Sequence, residues 1–366
     1  MIQFIDGNDA LVLGAIKAGC RFFAGYPITP ATPILLQMMD ELPKIGGIAI
    51  QGEDEIASIG MCIGAAMTGK KVLTASSGPG LSLYSENIGL AIMGEVPMVI
   101  VDVQRLGPAT GSATKDGNMD IQFVRWCTSG GFPVIALAPS SVEDCYSLTI
   151  EAFNLAEKYR TPVFILSSKE LAQTRMRVDL STVKTPEVAD RSFVESNKPF
   201  SFNTDIYPVG LMGGEILSRF TGSSHDEGGN LAKSPKVIED LVVHLQTKIS
   251  EKEISIFTYE GPENAETVII NYGVVSRATS AAFQSFKNQS VGLLTLKSLW
   301  PVPETAIREK IKSAKRIVIP ELNFGQYAQE IERIKSDHQQ LTTIQQVNSE
   351  LIQKEKIEAV LREVMA

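Results

Sequence analysis

Short apolar runs alternate with segments of helical periodicity over the first 170 residues of the chain. A few consecutive apolar residues predict a buried strand, and apolar residues three or four positions apart predict a helix. Strands and helices that alternate in this way are typical of a parallel sheet covered on both faces. The strands predicted here are 21–24, 48–51, 72–76, 98–103, 134–138 and 162–166. The helices predicted before the first, second and third of these strands are 7–19, 32–41 and 53–68.

The alternation is lost between about residues 175 and 260 and then returns. Residues 221–234 are dense in Gly, Ser, Asp and Asn, which predicts a long surface loop. The later part has predicted strands at 267–272, 291–296 and 316–320 and predicted helices at 276–286, 304–313 and 325–335. We therefore expect an α/β fold with a parallel-sheet domain at 1–180, an irregular connector at 181–260 and a smaller α/β domain at 261–366.

Composition excludes several classes of protein. Of the 366 residues 44% are hydrophobic and 21% charged, which is enough apolar material for a large core and excludes a disordered chain. The net charge of −8 does not favour nucleic acid or an anionic membrane as a partner. No apolar run reaches the roughly 18 residues of a membrane helix, and the N-terminus lacks a signal-peptide pattern. We expect a cytoplasmic protein without a membrane span.

The sequence predicts no metal site on this chain. Zinc and iron–sulfur sites use closely spaced thiolates, and this chain has no C-x-x-C pair. The three histidines are equally scattered. The four isolated cysteines are Cys20, Cys62, Cys127 and Cys145.

Ser77, Gly78, Pro79 and Gly80 form a glycine-rich turn between the strand at 72–76 and the next helix. Such a turn presents free backbone N–H groups to an anion or another polar ligand. The same residues are equally compatible with a tight turn in which Pro79 lies near a helix start.

Tyr26, Pro27, Ile28 and Thr29 follow the strand at 21–24, and a second proline comes directly after them. Two prolines fix φ and remove N–H donors, so the backbone around Thr29 is stiff and extended. A hydroxyl held in this way can hydrogen-bond a substrate. A proline-stiffened crossover loop without a binding role explains the pattern equally well.

Charged residues mark two further candidate positions. Glu53, Asp54 and Glu55 precede an apolar helix, where acidic residues commonly complement the helix dipole. Glu55 is nevertheless followed by apolar residues, which indicates poorly hydrated surroundings. Arg105 follows the strand at 98–103, and ligands of parallel sheets bind at the carboxyl ends of strands. Its guanidinium is thus placed to bind a carboxylate, although a surface ion pair is the commoner role.

These segments together resemble the α subunit of 2-oxoacid:ferredoxin oxidoreductases, thiamine-diphosphate enzymes that make acyl-CoA. The similar segments occur in family order and span nearly the whole chain. They are GYPITPAT from Gly25, QGEDEIASIGMCIGAAMTGKK from Gln51, TASSGPGLSLYSENIGLA from Thr74, EVPMVIVDVQRLGPATG from Glu95, TGSSHDEGG from Thr221, INYGVVSRA from Ile270, LKSLWPVP from Leu296 and PELNFGQ from Pro320.

The resemblance implies a fold and a set of roles. The first domain would be the pyrimidine-type thiamine diphosphate domain, and the last would be transketolase-C-like. Glu55 would hydrogen-bond N1′ of the aminopyrimidine and promote its imino tautomer, with Glu53 as the less favoured alternative. Thr29 would contact the 2-oxoacid, and Arg105 would lie beside its carboxylate. Tyr26, Pro27 and Ile28 would complete the substrate site, and the turn 77–80 would contact the cofactor.

The resemblance also implies partners. Because the chain contains no G-D-G motif, the diphosphate and Mg²⁺ would be bound by a β subunit, in an αβ or (αβ)₂ assembly. The iron–sulfur cluster that passes electrons to ferredoxin would lie on a partner too, and coenzyme A would be the co-substrate. The favoured reaction is oxidation of 2-oxoglutarate to succinyl-CoA, with 2-oxoisovalerate or pyruvate as alternative substrates. A non-catalytic assembly subunit of the same fold is the remoter alternative.

Overall fold

The computed structural model describes residues 2–202 and 207–366 of the chain. Its strands are β1 (Ile2–Ile5), β2 (Cys20–Gly25), β3 (Ile48–Gln51), β4 (Lys71–Ser76), β5 (Met98–Gln104), β6 (Ile135–Leu137), β7 (Pro162–Ser168), β8 (Met176–Asp179), β9 (Phe193–Val194), β10 (Val209–Gly210), β11 (Phe257–Glu260), β12 (Thr267–Tyr272), β13 (Val291–Leu296), β14 (Ser298–Trp300), β15 (Arg316–Glu321) and β16 (Gln340–Gln345). Its helices are α1 (Gly7–Lys17), α2 (Thr32–Lys44), α3 (Glu55–Met67), α4 (Gly78–Leu83), α5 (Ser85–Met93), α6 (Ile121–Arg125), α7 (Val142–Tyr159), α8 (Lys169–Gln173), α9 (Pro235–Thr247), α10 (Glu251–Ile254), α11 (Ser276–Gln284), α12 (Glu304–Ile311), α13 (Ala328–Ile334) and α14 (Lys354–Met365).

A seven-stranded sheet dominates the first half of the chain, with the strand order β14-β6-β7-β5-β4-β2-β3. All neighbours in it are parallel except β14, which runs antiparallel to β6. The six strands predicted in this half of the chain are all present, with ends shifted by a few residues. The α/β class with a parallel sheet is confirmed.

A second sheet of five strands has the order β11-β13-β12-β15-β16, and only its edge strand β11 is antiparallel to its neighbour. The three strands predicted for this part form its centre. The two edge strands escaped prediction because most of their positions are exposed or only partly buried and many of their residues are polar. A strand at a sheet edge needs no continuous apolar run.

The segment 181–260 is less irregular than the sequence predicted. It contains the helix α9, which buries Leu241, His244 and Leu245 on one face. The mixed polar composition of α9 hid this narrow apolar face, so the prediction of an irregular segment is wrong for residues 235–247. Residues 221–234 do form a loop. Residues 203–206 of the predicted connector lie outside the described residues.

The two sheets share one hydrophobic core, which positions the later part of the chain against the first. One apolar cluster contains side chains of α3, α5, β12 and β13 together, while α1, α2 and α7 cover the opposite face of the larger sheet. Strand β14 crosses from the later part to the edge of the larger sheet, where Trp300 donates its indole N–H to the Ile121 carbonyl at 3.1 Å. Within the described ranges, no helix combines the length and the apolar character required for a membrane span.

Candidate active site at the carboxyl ends of four strands

The candidate residues meet because four adjacent strands of the larger sheet end at one edge. β3, β2, β4 and β5 are parallel neighbours, and the register pairs Gly25 with Gln51 and Ser76 with Asp102. The segments that leave these four ends carry every site residue predicted from the sequence. Residues separated by up to 80 positions along the chain are therefore brought to one place.

Glu55 is the first residue of α3 and is only 6% exposed. Asp54 is the N-cap and accepts a hydrogen bond from the Ala57 N–H at 2.7 Å, so the role of completing the helix end belongs to Asp54. Glu53 lies outside the helix and is exposed. Of the three acidic residues, Glu55 alone combines burial with a position at the shared strand edge.

Gly80 leaves room for the Glu55 carboxylate. A Cβ atom at Gly80 would lie 2.5 Å from Glu55 Oε1 and would also collide with Ser76 Oγ. The turn opens α4, and the buried hydroxyl of Ser77 has no hydrogen-bond partner within the described part of the chain. The predicted turn with Pro79 near a helix start is present. It also packs directly on the predicted acid.

We expect Gly80→Ala to destabilise the protein by about 1–3 kcal/mol, because the added methyl group must displace Glu55 or Ser76. Gly60→Ala is the matched control in α3, since nothing lies within 4 Å of a Cβ at that position. That control should raise stability slightly, because alanine favours a helix over glycine. Thermal unfolding of both variants tests the difference. Equal melting temperatures for the two would contradict the close packing at Gly80.

The segment 26–30 is anchored from two sides. Arg105 donates from Nη1 to the Thr29 carbonyl at 2.6 Å, and Asn8 donates from Nδ2 to the Pro30 carbonyl at 3.1 Å. Thr29 and Tyr26 are exposed, while Pro27 and Ile28 are partly buried. The loop therefore has a fixed backbone and an accessible outer side at the strand edge.

Arg105 is 5% exposed, so it does not form the surface ion pair that the sequence left open. Its Nη1 donates to the Thr29 carbonyl, whereas its Nε has no hydrogen-bond partner among the described residues. A buried guanidinium with unused donors is suited to bind a carboxylate in two-pronged geometry.

Two carboxyl groups at this edge, the buried Asp102 and the partly buried Asp120, were missed by the sequence interpretation. Burial raises the pKa of Asp120 to about 6, even though Asp102 and Arg105 act to lower it. Burial, followed by the neighbouring Asp120, holds the pKa of Asp102 well above its ordinary range. One feature of the sequence could have singled out Asp102, because it is an acidic residue inside the otherwise largely apolar strand MVIVDVQ. Asp120 had none, since it lies in a long loop.

The residues of this chain fit one part of thiamine diphosphate. A buried carboxylate at Glu55, the space at Gly80 and the unpartnered Ser77 hydroxyl suit a flat ring with polar edges. We see no comparable set of ligands for the metal that accompanies the diphosphate. The described ranges contain no group of three or more His, Cys, Asp or Glu residues able to hold a metal.

Comparisons with known proteins extend over both parts of the chain. The family model described as "Pyruvate flavodoxin/ferredoxin oxidoreductase, thiamine diP-bdg", a thiamine diphosphate-binding domain, matches residues 13–242. The model described as "Pyruvate:ferredoxin oxidoreductase core domain II" matches residues 265–357. The predicted limits 1–180, 181–260 and 261–366 are not tested by these matches and stay predictions.

Individual relatives are similar over their full length. The chain is 42% identical to the 2-oxoglutarate synthase subunit KorA of Methanocaldococcus jannaschii, over 98% of each chain. It is 34% identical to the ketoisovalerate oxidoreductase subunit VorB of Methanothermobacter thermautotrophicus, over 99% of this chain and 97% of the relative.

A solved structure is similar in fold as well as in sequence. It is the 2-oxoglutarate:ferredoxin oxidoreductase from Magnetococcus marinus with 2-oxoglutarate, coenzyme A and succinyl-CoA bound. The match has a TM-score of 0.90 and 33% sequence identity over all of this chain. This chain spans 65% of the length of that solved chain.

Proposed function

The chain belongs to the family of 2-oxoacid:ferredoxin oxidoreductases, and we propose that it is the α subunit of an enzyme that converts 2-oxoglutarate and CoA to succinyl-CoA. The overall reaction also releases CO₂, one proton and two electrons, and the electrons pass to ferredoxin. The observation that carries the proposal is the buried Glu55 carboxylate against Gly80, at the strand edge that also holds Arg105. The 42% identity to a 2-oxoglutarate synthase subunit supports the choice of substrate.

Glu55 is the residue of this chain that would hydrogen-bond the cofactor's aminopyrimidine ring. Its carboxyl group lies at the N-terminus of α3, where the absence of a side chain at Gly80 leaves room for it, and this position supports a hydrogen bond to N1′ of the aminopyrimidine. Thiamine diphosphate, when bound, would supply a nucleophilic carbon and an electron sink for the decarboxylation. Burial of Glu55 strengthens its hydrogen bond, since water does not compete for the proton.

Arg105 and Thr29 orient the substrate. The Arg105 guanidinium binds the carboxylate that is lost as CO₂, and its bond to the Thr29 carbonyl ties the substrate loop to that charge. The Thr29 hydroxyl lies on the accessible side and contacts the 2-oxoacid, beside Tyr26, Pro27 and Ile28. Holding the substrate in one orientation removes much of the entropic barrier.

The remaining parts come from partners. A β subunit binds Mg²⁺ and the diphosphate and carries the iron–sulfur cluster, in an αβ or (αβ)₂ assembly. The lack of a metal-ligand cluster among residues 2–202 and 207–366 of this chain is consistent with that division. A second candidate substrate is 2-oxoisovalerate, because the ketoisovalerate oxidoreductase subunit is also similar over its full length.

The proposal is tested with the α chain co-expressed with its β subunit. We expect CoA-dependent reduction of a viologen dye with 2-oxoglutarate, at a kcat/KM about tenfold or more above those of 2-oxoisovalerate and pyruvate. A charge-assisted hydrogen bond to the second carboxylate has a free energy that corresponds to such a factor. A preference for 2-oxoisovalerate would reassign the substrate. No reduction with any 2-oxoacid would favour a non-catalytic assembly subunit instead.

A further inference from the structure

A pair of carboxyl groups lies beside the proposed site, and nothing in the proposed mechanism uses it. Asp102 is fully buried within β5, where its neighbours across the sheet are Ser76 on β4 and Leu166 on β7. Neither oxygen of Asp102 receives a well-formed hydrogen bond from an N–H or hydroxyl group of the described residues, and Oδ2 of Asp120 receives none either.

The two carboxyl groups lie close enough for each to act on the pKa of the other, and their three unpartnered oxygens have no donor except a proton held between them. Two ionised carboxylates have four acceptor oxygens and no donor, so they repel when they touch. Burial raises the pKa of both groups and favours the protonated form. The N–H of Gly78 from α4 and the Arg105 guanidinium after β5 act in the opposite direction. Two carboxyl groups placed in this way are suited to hold one proton between them, with a net charge of −1.

This charge adjoins the residues of the site. Arg105 acts on both carboxyl groups and reaches the substrate loop through the Thr29 carbonyl. A Cβ atom at Gly78 would lie 3.9 Å from Asp120 Oδ2, so the pair also lies under the turn that precedes Gly80. The pair is thus close to both the guanidinium and the glycine turn.

The second sheet holds Asp120 in place. Asn323 donates from Nδ2 to the Asn118 carbonyl, and Gln326 donates from Nε2 to the Met119 carbonyl, both at 2.8 Å. Asn323 and Gln326 lie in the segment that follows β15, so this segment of the second sheet fixes the backbone just before Asp120. The Asp120 N–H is held from the other side by Gln104 Oε1 at 3.3 Å.

We propose that Asp102 and Asp120 share one proton at neutral pH and that this singly charged pair positions Arg105 for the substrate's carboxylate. The role assigned to Arg105 rests on the proposed function. Loss of the shared proton would give the pair two negative charges, which draw Arg105 away and repel the substrate. Asp102 and Asp120 are therefore positioning residues, and their effect should fall on substrate binding rather than on later steps.

Infrared spectroscopy of the assembled αβ enzyme tests the proton directly. A protonated carboxyl has a C=O stretch distinct from that of a carboxylate, so the wild-type spectrum at neutral pH should contain a band that Asp102→Asn and Asp120→Asn each remove. Either amide can donate to the remaining carboxylate, which keeps the hydrogen bond and the shape. Asp240→Asn is the control, because Asp240 is an exposed carboxyl paired with Lys236, and the band should survive it. If the protonated-carboxyl band is absent from the wild-type spectrum, or is unchanged in the spectra of both variants, the two residues do not share a proton.

The pH dependence of KM tests the link to Arg105. At alkaline pH, wild-type KM for the 2-oxoacid should rise about tenfold per pH unit once the pair loses its proton, while kcat changes little. Asp120→Asn cannot exceed one negative charge, so its KM should stay level over the same range. A parallel rise in wild type and Asp120→Asn would overturn the positioning role. An enzyme inactive on every 2-oxoacid would instead refute the proposed function, and the infrared band would still test the pair.

Discussion

Glu55→Gln in the assembled enzyme should lower kcat by about 100-fold or more, because a positioned proton donor and acceptor contributes roughly that factor. Glutamine has nearly the same shape, so it should still fit against Gly80, where the space is limited. An amide cannot exchange a proton with a ring nitrogen as a carboxyl group does. KM for the 2-oxoacid should change far less than kcat, since Glu55 acts on the cofactor and not on the substrate.

Glu53→Gln is the matched control for this variant. Glu53 lies two positions earlier, outside α3 and exposed, so the same chemical change should leave kcat within about twofold. Melting temperatures of the two variants should agree with that of the wild type, which separates loss of chemistry from loss of folding. A wild-type kcat in Glu55→Gln would refute the role of Glu55. A large loss of kcat in Glu53→Gln alone would assign that role to Glu53.

The main elements of the fold were predictable because buried parallel strands have a direct sequence signature. Strands β4, β5 and β7 are buried at every position, and each is a short run that is mostly apolar. The strand β14 lacked such a signature. It has three residues, and its place beside β6 depends on packing between parts of the chain 160 positions apart. Local periodicity carries no information about such a contact.

The predicted site residues come together because the topology of a parallel sheet collects the segments that follow its strands. Glu55, Thr29 and Arg105 could be singled out since each directly follows a strand or opens a helix. Asp120 could not, because the backbone just before it is held by Asn323 and Gln326, which follow a strand of the second sheet. The segment PELNFGQ could be recognised in the sequence, but nothing in it indicates which distant backbone its Asn323 and Gln326 side chains contact.

A buried ion pair joins α9 to the larger domain and should dominate the stability of this region. Glu95 accepts from Lys248 Nζ at 3.0 Å and lies 3.2 Å from His244 Nε2. Lys248 also donates to the Arg160 carbonyl at 3.0 Å. Both side chains of the ion pair are almost fully buried, so each depends on the other to balance its charge. Removal of one partner leaves a buried charge, which costs more than the pair itself contributes.

Lys248→Met should therefore lower the free energy of unfolding by about 3–5 kcal/mol in urea denaturation. Adding Glu95→Gln to Lys248→Met should recover part of that loss, because no buried charge then remains from the pair. Lys158→Met is the control, since the Lys158–Glu253 pair is exposed and should contribute less than about 1 kcal/mol. Equal losses in Lys248→Met and Lys158→Met would show that burial does not govern the strength of the pair.

The stability that Glu95 contributes should depend on pH in a defined direction. Lys248, His244 and Arg160 lower the pKa of Glu95 below its ordinary value of 4.5, and they outweigh burial, which acts to raise it. The folded state therefore binds this proton less tightly than the unfolded state does. The contribution is complete above pH 4.5 and declines as the pH falls below that value. In Lys248→Met the pKa of Glu95 moves back up, so stability should fall less steeply in acid than it does in the wild type. An equally steep fall in both proteins would mean that another carboxyl group governs the acid unfolding.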